Sequence, residues 1–386
     1  MPTTAVLNAL DTPSVIKEIV KDRKTGLVTN PSAIDRNANA AVDILEQILN
    51  ITAYFAPEHG IRGTLQNGVT FTDQTDPRTG KPVYALYGRT SHLTAERLED
   101  VDVIVYDIQD VGSRAFSYLR TLAYLIEDCI NFDRELIVLD RINPLGGLTT
   151  DGIVPEEVFD KRWGFGVTSR FPLTTGEYAL MVNKCYFGNN CRLKVIPCRN
   201  WKRDMMFEDC GFFWSNPSPN LPTPTSAVLY AGTASFGETN ISEARGTTRP
   251  YEMFGAPGAD GKLIADKLNA LNMPGVIFRE CAFTAGSNAF KKYVGELCTG
   301  VQMFLSDRRT FSAFETGMWM LEIFRSCYDD FAIPFNNGRC EAFLFDCTLG
   351  SADWRTGKMS TAEFIERGRR ESAEFQKSIT EFMLYK

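Results

Sequence analysis

ITAYFAPEHGIRG, residues 51–63, is the stretch that decides the fold. A mostly apolar run ends at Ala56, and a polar, glycine-bearing loop follows at once. DVIVY (102–106) repeats the pattern and runs into Asp107-Ile108-Gln109-Asp110-Val111-Gly112. ELIVL (Glu135–Leu139) repeats it again and runs into Asp140-Arg141-Ile142-Asn143-Pro144. Strands that are apolar on consecutive residues are expected where both sheet faces are buried. Residues 39–49 and 115–129 carry apolar side chains at helical spacing. This alternation predicts right-handed crossovers and an α/β fold, a parallel sheet with helices on both faces. The three loops then meet at one edge, beyond the carboxyl ends of the strands, where open α/β sheets hold ligands.

Working outward, residues 26–29 and 82–87 read as further strands, and 193–197 as another. Residues 174–185 read as a helix, with Thr174 or Thr175 as N-cap and Glu177 in the first turn. NPSPNLPTP (216–224) is too rich in proline for a helix and reads as an extended, ordered loop. Residues 232–257 read as one long polar, glycine-rich loop of the kind that is usually functional. From residue 258 the pattern changes to a helix at 261–271, a strand at 299–305 and helices at 311–327 and 361–382. The expected division is therefore residues 1–257 for the parallel-sheet domain and 258–386 for a smaller C-terminal α+β domain.

Composition narrows the functional classes. A chain of 386 residues fits about two domains. Its 44% hydrophobic and 23% charged residues are ordinary for a globular protein. A net charge of −7 and a pI near 5.2 argue against general nucleic-acid binding. The ten cysteines form no C-x-x-C pair, and His59 and His92 are the two histidines, so no metal site is expected. Scattered cysteines read as small buried hydrophobes in a reducing compartment. No secretory pattern opens the chain, which predicts a cytoplasmic or other intracellular location. No run approaches the roughly 20 apolar residues of a membrane span. The phosphate-binding glycine motifs and the G-x-S-x-G elbow are missing, which removes nucleotide binding and serine hydrolysis from the leading readings. Oligomeric state is not legible.

Glu58 is the leading chemical candidate. A carboxyl at the dry mouth of a strand suits a general acid; the plainer alternative is a loop carboxylate capping a turn. Gly60 and Gly63 allow close backbone approach to a ligand, and Arg62 is placed to hold an anion. Asp107, Gln109 and Asp110 form a second cluster with Arg114, unless Asp110 merely caps the helix that follows. Asp140 and Asn143 are candidates for contact or for orienting their own loop. Residues 240–250 (NISEARGTTRP) are the densest polar run, and Thr248 belongs to it. Within it Glu243 is either a second carboxylate of a glycosidase pair or the neutralising partner of Arg245 or Arg249. Arg245 and Arg249 suit a bidentate clamp on a carboxylate. Trp163, Trp201 and Trp214 are candidates to stack on sugar rings.

Taken together, these segments resemble the NamZ-type exo-β-N-acetylmuramidases, the YbbC-like family of peptidoglycan hydrolases. The stretches that carry the likeness are FAPEHGIRG (55–63), TDPRTG (75–80) with PVYALYG (82–88), DIQDVGSR (107–114) and LDRINP (139–144). SPNLPT (218–223), TNISEARGTTRP (239–250), GAP (255–257) and CTGV (298–301) extend it, so that it runs from about residue 26 to the C-terminus. The chain departs from the family at FPLTT (171–175), where relatives read H-G-M-T, and at Ile142, where they have proline. The resemblance implies a Rossmann-like domain and a smaller C-terminal domain with the site in the cleft between them. It implies release of N-acetylmuramic acid from the non-reducing end of peptidoglycan-derived saccharides, with no metal or organic cofactor. The family's proposed catalytic glutamate falls on Glu58; the chain's own residues offer Glu243 or Asp110 as the second carboxyl. Arg62, Arg114, Arg245 and Arg249 become candidates for the lactyl carboxylate of muramic acid. His59, Gln109, Asn143, Asn220, Asn240 and Thr248 become candidates for the remaining substrate contacts. The rival readings are a sugar-binding protein without turnover, or a transferase or esterase acting on amino-sugar saccharides.

Overall fold

The computed structural model describes residues 5–63, 65–66, 68–88, 91–287, 292–334 and 342–386. Ten strands are described: β1 (Lys24–Thr29), β2 (Asn50–Ala56), β3 (Gln74–Thr75), β4 (Pro82–Ala85), β5 (Val103–Asp107), β6 (Glu135–Leu139), β7 (Arg192–Ile196), β8 (Met253–Ala256), β9 (Val276–Thr284) and β10 (Leu297–Leu305). The described helices are α1 (Pro13–Val20), α2 (Ala41–Glu46), α3 (Ser117–Asn131), α4 (Thr175–Phe187), α5 (Phe207–Cys210), α6 (Pro224–Thr233), α7 (Gly261–Ala270), α8 (Ala313–Cys327), α9 (Leu344–Leu349) and α10 (Thr361–Ser378). The first seven strands form one sheet in the order β3-β4-β2-β1-β5-β6-β7. All of its pairings are parallel except β3 with β4. The fold is α/β, with a smaller antiparallel sheet, β8-β10-β9, as its second layer of strands.

The large sheet is covered on both faces, which is why its strands read as unbroken apolar runs. Val103 and Val105 of β5 pack with Ile16 and Val20 of α1 and Val42 and Leu45 of α2. Ile104 and Tyr106, pointing the other way, pack with Leu119, Leu122 and Ile126 of α3 and Tyr178 and Val182 of α4. That second core continues without a break into Phe254, Phe278 and Val301 of the small sheet. The small sheet opens at Met253, so a division at residue 257 falls after its first strand.

The boundaries of α4 follow from its capping chemistry. Thr174 accepts the Glu177 amide and Glu177 reaches back to the Thr174 amide, a reciprocal capping box. Two expectations need correction. The proline-rich loop ends at Thr223, which caps α6 with Pro224 in its first turn. The long loop expected over 232–257 is then interrupted at both ends, by α6 and a 3-10 turn (Ala234–Glu238) and by β8. α6 is buried on most sides (Ala227, Val228, Leu229, Ala231, Thr233), so it lacks the polar stripe that marks an amphipathic helix. It crosses α8 at Gly232 and Gly317, where a Cβ on either residue would overlap the other helix's backbone. No disulfide links the described cysteines, and Cys340 lies outside the described residues.

Candidate active site

β2 delivers Glu58 to the sheet edge. The chain turns sharply after it, with His59 and Gly60 both left-handed at φ 75°. This conformation costs nothing at glycine but is uncommon for histidine. The turn brings Leu65 and Gly68 back over the strand end. His59 Nδ1 meets the Leu65 carbonyl at 3.0 Å, and the Gly68 amide donates to Glu58 Oε1 at 2.9 Å. The other Glu58 oxygen accepts from Ser117 Oγ at 2.7 Å. Ser117 is the first residue of α3, so the positive end of that helix also faces the carboxylate. Tyr118, the next residue, fixes the backbone below by donating to the Pro217 carbonyl at 2.6 Å.

Only 7% of Glu58 is exposed, and it lines a cavity of about 1110 Å³. The second part of the chain contributes Tyr230, Glu238, Asn240, Arg245, Tyr251 and Lys292 to the same cavity. Glu58 and Glu238 are the two carboxylates that line it among the described residues. Tyr230 donates to the Ala115 carbonyl at 3.1 Å. Burial pushes its phenol well above the ordinary value, and the nearby Glu58 and Glu238 charges add to that. It stays a neutral donor.

Glu243 has a different setting. It is buried behind two cations, with Arg245 Nε at 2.8 Å from one oxygen and Lys292 Nζ at 2.8 Å from the other. Lys292 also donates to the Phe236 and Ile241 carbonyls at 2.8 and 3.1 Å. Burial opposes the charge on Glu243, but Lys292 and Arg245 outweigh it and hold the carboxyl below its usual range. Arg245 donates further to the Tyr251 hydroxyl at 3.1 Å. Burial, against the pull of Arg245, pushes that phenol up to about 12. The cavity therefore meets Arg245 and Lys292, not Glu243 itself.

The fold brings Glu58, Asn220, Asn240 and Arg245 to one cavity. Asn240 also ties down its neighbour loop, donating to the Asp330 carbonyl at 2.6 Å and accepting from the Ala332 amide at 2.8 Å. Other candidates lie elsewhere. Asp110 is buried without a cation: Oδ1 accepts the Gly112 amide at 2.8 Å, and Oδ2 has no partner among the described residues. Burial, opposed by the Gly112 and Val111 amides, pushes its carboxyl up to about 7. Gln109 donates to the Asp110 and Ile142 carbonyls, and Asn143 to those of Phe171 and Leu173. Arg114 is buried among the carbonyls of Ile153, Val167, Thr348 and Leu349. Arg62 is forked onto Asp76 at 2.8 and 2.9 Å. Arg249 pairs with Glu252 at 2.8 Å, and Thr248 is exposed on the same turn. None of these seven, nor His59, lines the cavity. For Gln109, Asn143, Arg114, Arg62 and Arg249 the reason is shared: backbone carbonyls or a neighbouring carboxylate already engage the side chain.

Sequence reasoning passed over Ser117, Arg120, Tyr124, Tyr230, Glu238, Tyr251 and Lys292, all of which line the cavity. Ser117, Arg120 and Tyr124 share one helical face and could have been grouped by that spacing. Of the three tryptophans, Trp163 lines the cavity, whereas Trp201 packs edge-to-face with Tyr385 and Trp214 with Phe207.

Comparison with known proteins places this geometry. Residues 25–225 match the N-terminal region of the exo-β-N-acetylmuramidase NamZ family, and residues 228–385 match its C-terminal region. The chain is 36% identical over 375 residues to the peptidoglycan β-N-acetylmuramidase NamZ of Bacillus subtilis, covering 96% of this chain and 88% of that protein. Two crystal structures of DUF1343 family proteins from Bacteroides fragilis share the fold. One superposes with a TM-score of 0.88 at 31% identity over the whole of both chains, the other with 0.74 at 26% identity over 99% of each. By sequence over nearly its whole length, and by fold, this chain belongs to the NamZ family of exo-β-N-acetylmuramidases.

Proposed function

We propose that this chain is a glycoside hydrolase that releases N-acetylmuramic acid from the non-reducing end of peptidoglycan-derived saccharides, with Glu58 as its general acid. The observation that carries the reading is the setting of Glu58: a carboxylate at the cavity surface, held by one hydroxyl and one amide and, among the described residues, by no cation. Such a group gives up or takes a proton without breaking an ion pair, as protonation of a leaving glycosidic oxygen requires. Glu238 is the second carboxyl, acting on the far side of the sugar as base or nucleophile. Glu238 lines the cavity, and Glu243 and Asp110 do not. Glu243 instead holds Arg245 and Lys292 toward the lactyl carboxylate, whose charge they match. Asn220, on the cavity wall, is the amide assigned to the acetamido and hydroxyl groups of the sugar.

The test is incubation with a muramic-acid–glucosamine disaccharide and detection of free N-acetylmuramic acid. Release by the wild type, and its loss in a folded Glu58→Gln variant that still binds the disaccharide, supports the reading. Binding without release by the wild type favours a sugar-binding protein and overturns it.

A further inference from the structure

The cavity is longer than one sugar needs, and its outer end has a chemistry of its own. Ser117, Arg120 and Tyr124 lie at positions i, i+3 and i+7 of α3 and all face the cavity. At about 1.5 Å per residue, Arg120 lies roughly 4.5 Å and Tyr124 roughly 10.5 Å along the helix from Ser117, about the span of two linked pyranoses. Ser117 marks the Glu58 end. Burial changes along the same line. Ser117, Arg245 and Tyr251 are buried, whereas Arg120, Tyr124, Arg162 and Trp163 are half-buried at the outer end.

Trp163 forms a shelf there. Arg120 Cζ lies 5.4 Å from its ring centre and Arg162 Cζ 6.0 Å. Arg120 donates to the Arg162 carbonyl at 3.1 Å, which fixes its position, and no described carboxylate forms an ion pair with it. The Trp163 indole Nε1 is buried and has no hydrogen-bond partner among the described residues. A buried N–H is out of a ligand's reach, so what Trp163 offers the cavity is its half-buried ring. An aromatic face beside guanidinium groups suits a pyranose ring that carries a carboxylate.

Building on the muramidase reading, we propose that Trp163 and Arg120 form a distal subsite for the third sugar of the glycan, recognising a muramic acid through its ring and its carboxylate. In a strand of alternating amino sugars, a muramic acid cut at Glu58 is followed by a glucosamine and then by a second muramic acid. The carboxylate comes either from the free lactyl group of that third ring or from a peptide joined to it.

The experiment compares kcat/KM on the disaccharide with that on the trisaccharide ending in a second muramic acid, using the full chain. The trisaccharide is prepared with a free lactyl group, with an amidated lactyl group, and with a peptide. The expected result is a trisaccharide-to-disaccharide ratio about tenfold above unity for the wild type. Arg120→Ala and Trp163→Ala bring the ratio close to one, and Arg120→Lys restores part of it. Loss of the advantage on amidation assigns the lactyl group as its source; an advantage seen only with the peptide-bearing form assigns the peptide. A wild-type ratio near one, or a ratio unmoved by both alanine variants, overturns the subsite. Failure of the wild type to cleave even the disaccharide is a different result and overturns the muramidase reading. Titration of tryptophan fluorescence in Glu58→Gln reads the subsite without turnover: saturable quenching by the trisaccharide, lost in Glu58→Gln/Trp163→Phe, supports it, and equal quenching in both overturns it.

Discussion

Two buried glutamates serve the same cavity in opposite settings. Glu58 meets a hydroxyl and an amide, both neutral, and reaches the surface. Glu243 meets Arg245 and Lys292, both cationic, and is sealed behind them. Two cations hold a carboxylate charged, and that makes it a poor proton carrier but a firm anchor. The difference teaches that burial of an acid near a ligand site does not identify chemistry; the charge of its partners does. Asp110 supplies the third case, buried with amides alone and pushed up to about 7.

The largest expected effect tests the first half of this contrast. Glu58→Gln keeps the shape and both neutral contacts but removes the exchangeable proton. A fall in kcat of about 10²–10⁴-fold is expected, with KM nearly unchanged and thermal unfolding close to wild type. A variant that keeps more than a tenth of wild-type turnover on the disaccharide would break the contrast. Glu243→Gln is expected to act mainly on stability, because it leaves two buried cations without their counter-charge. A loss of roughly 3–5 kcal/mol is expected, read from denaturant midpoints. Adding Lys292→Met to that variant should recover part of the loss. If Glu243→Gln unfolds like wild type, the two cations do not depend on it for their counter-charge and its assignment as their anchor fails.

A smaller change sharpens the Glu58 side. Ser117→Ala removes one of the two neutral donors to its carboxylate. Hydrogen bonds to charged groups are worth about 1.5–3 kcal/mol, so kcat/KM should fall by about tenfold or somewhat more. Steady-state kinetics on the disaccharide provide the check, and an unchanged value would show that the Gly68 amide alone positions the acid.

The fold was legible because its signal is local. Three strands buried on both faces leave three unbroken apolar runs, and each is followed by a polar loop. The loops themselves looked alike, and there local reading failed. The acid after β2 faces the cavity. Asp107, the last residue of β5, is instead forked by Arg141, 34 residues away, at 2.5 and 3.0 Å. Asp140 after β6 is met by Thr174, by the Gly176 amide and by Tyr385, the last 245 residues away. Lys292, which with Arg245 fixes the charge of Glu243, lies 49 residues from it. No pattern of neighbours in sequence reveals such partners. α6 was missed for the related reason that a helix buried on most sides loses its periodic stripe, although the Thr223-Pro224 capping signal was there to read.

The smallest expected effect concerns Asp110 and its dependence on pH. An unfolded aspartate titrates near 4, whereas burial holds this one at about 7. Between those values the folded chain keeps a proton that the unfolded chain has released. The unfolded state then binds fewer protons, so stability falls as pH rises through that window. The contribution is fully present below about pH 4 and gone above about pH 7. Asp110→Asn keeps the Gly112 contact through its carbonyl oxygen and cannot ionise, so its melting temperature should decline less between pH 4 and 7. The slope should not vanish, because burial also holds Asp140 at about 7, against the donors that surround it. A difference on the order of 2 °C across the window is expected, measured by thermal unfolding at matched ionic strength. Parallel curves for wild type and variant would mean that Asp110 is ionised in the folded chain at low pH. It would then have to hold its charge with amides alone, and the rule drawn from Glu58 and Glu243, that cationic partners decide which buried acids stay charged, would fail at its simplest case.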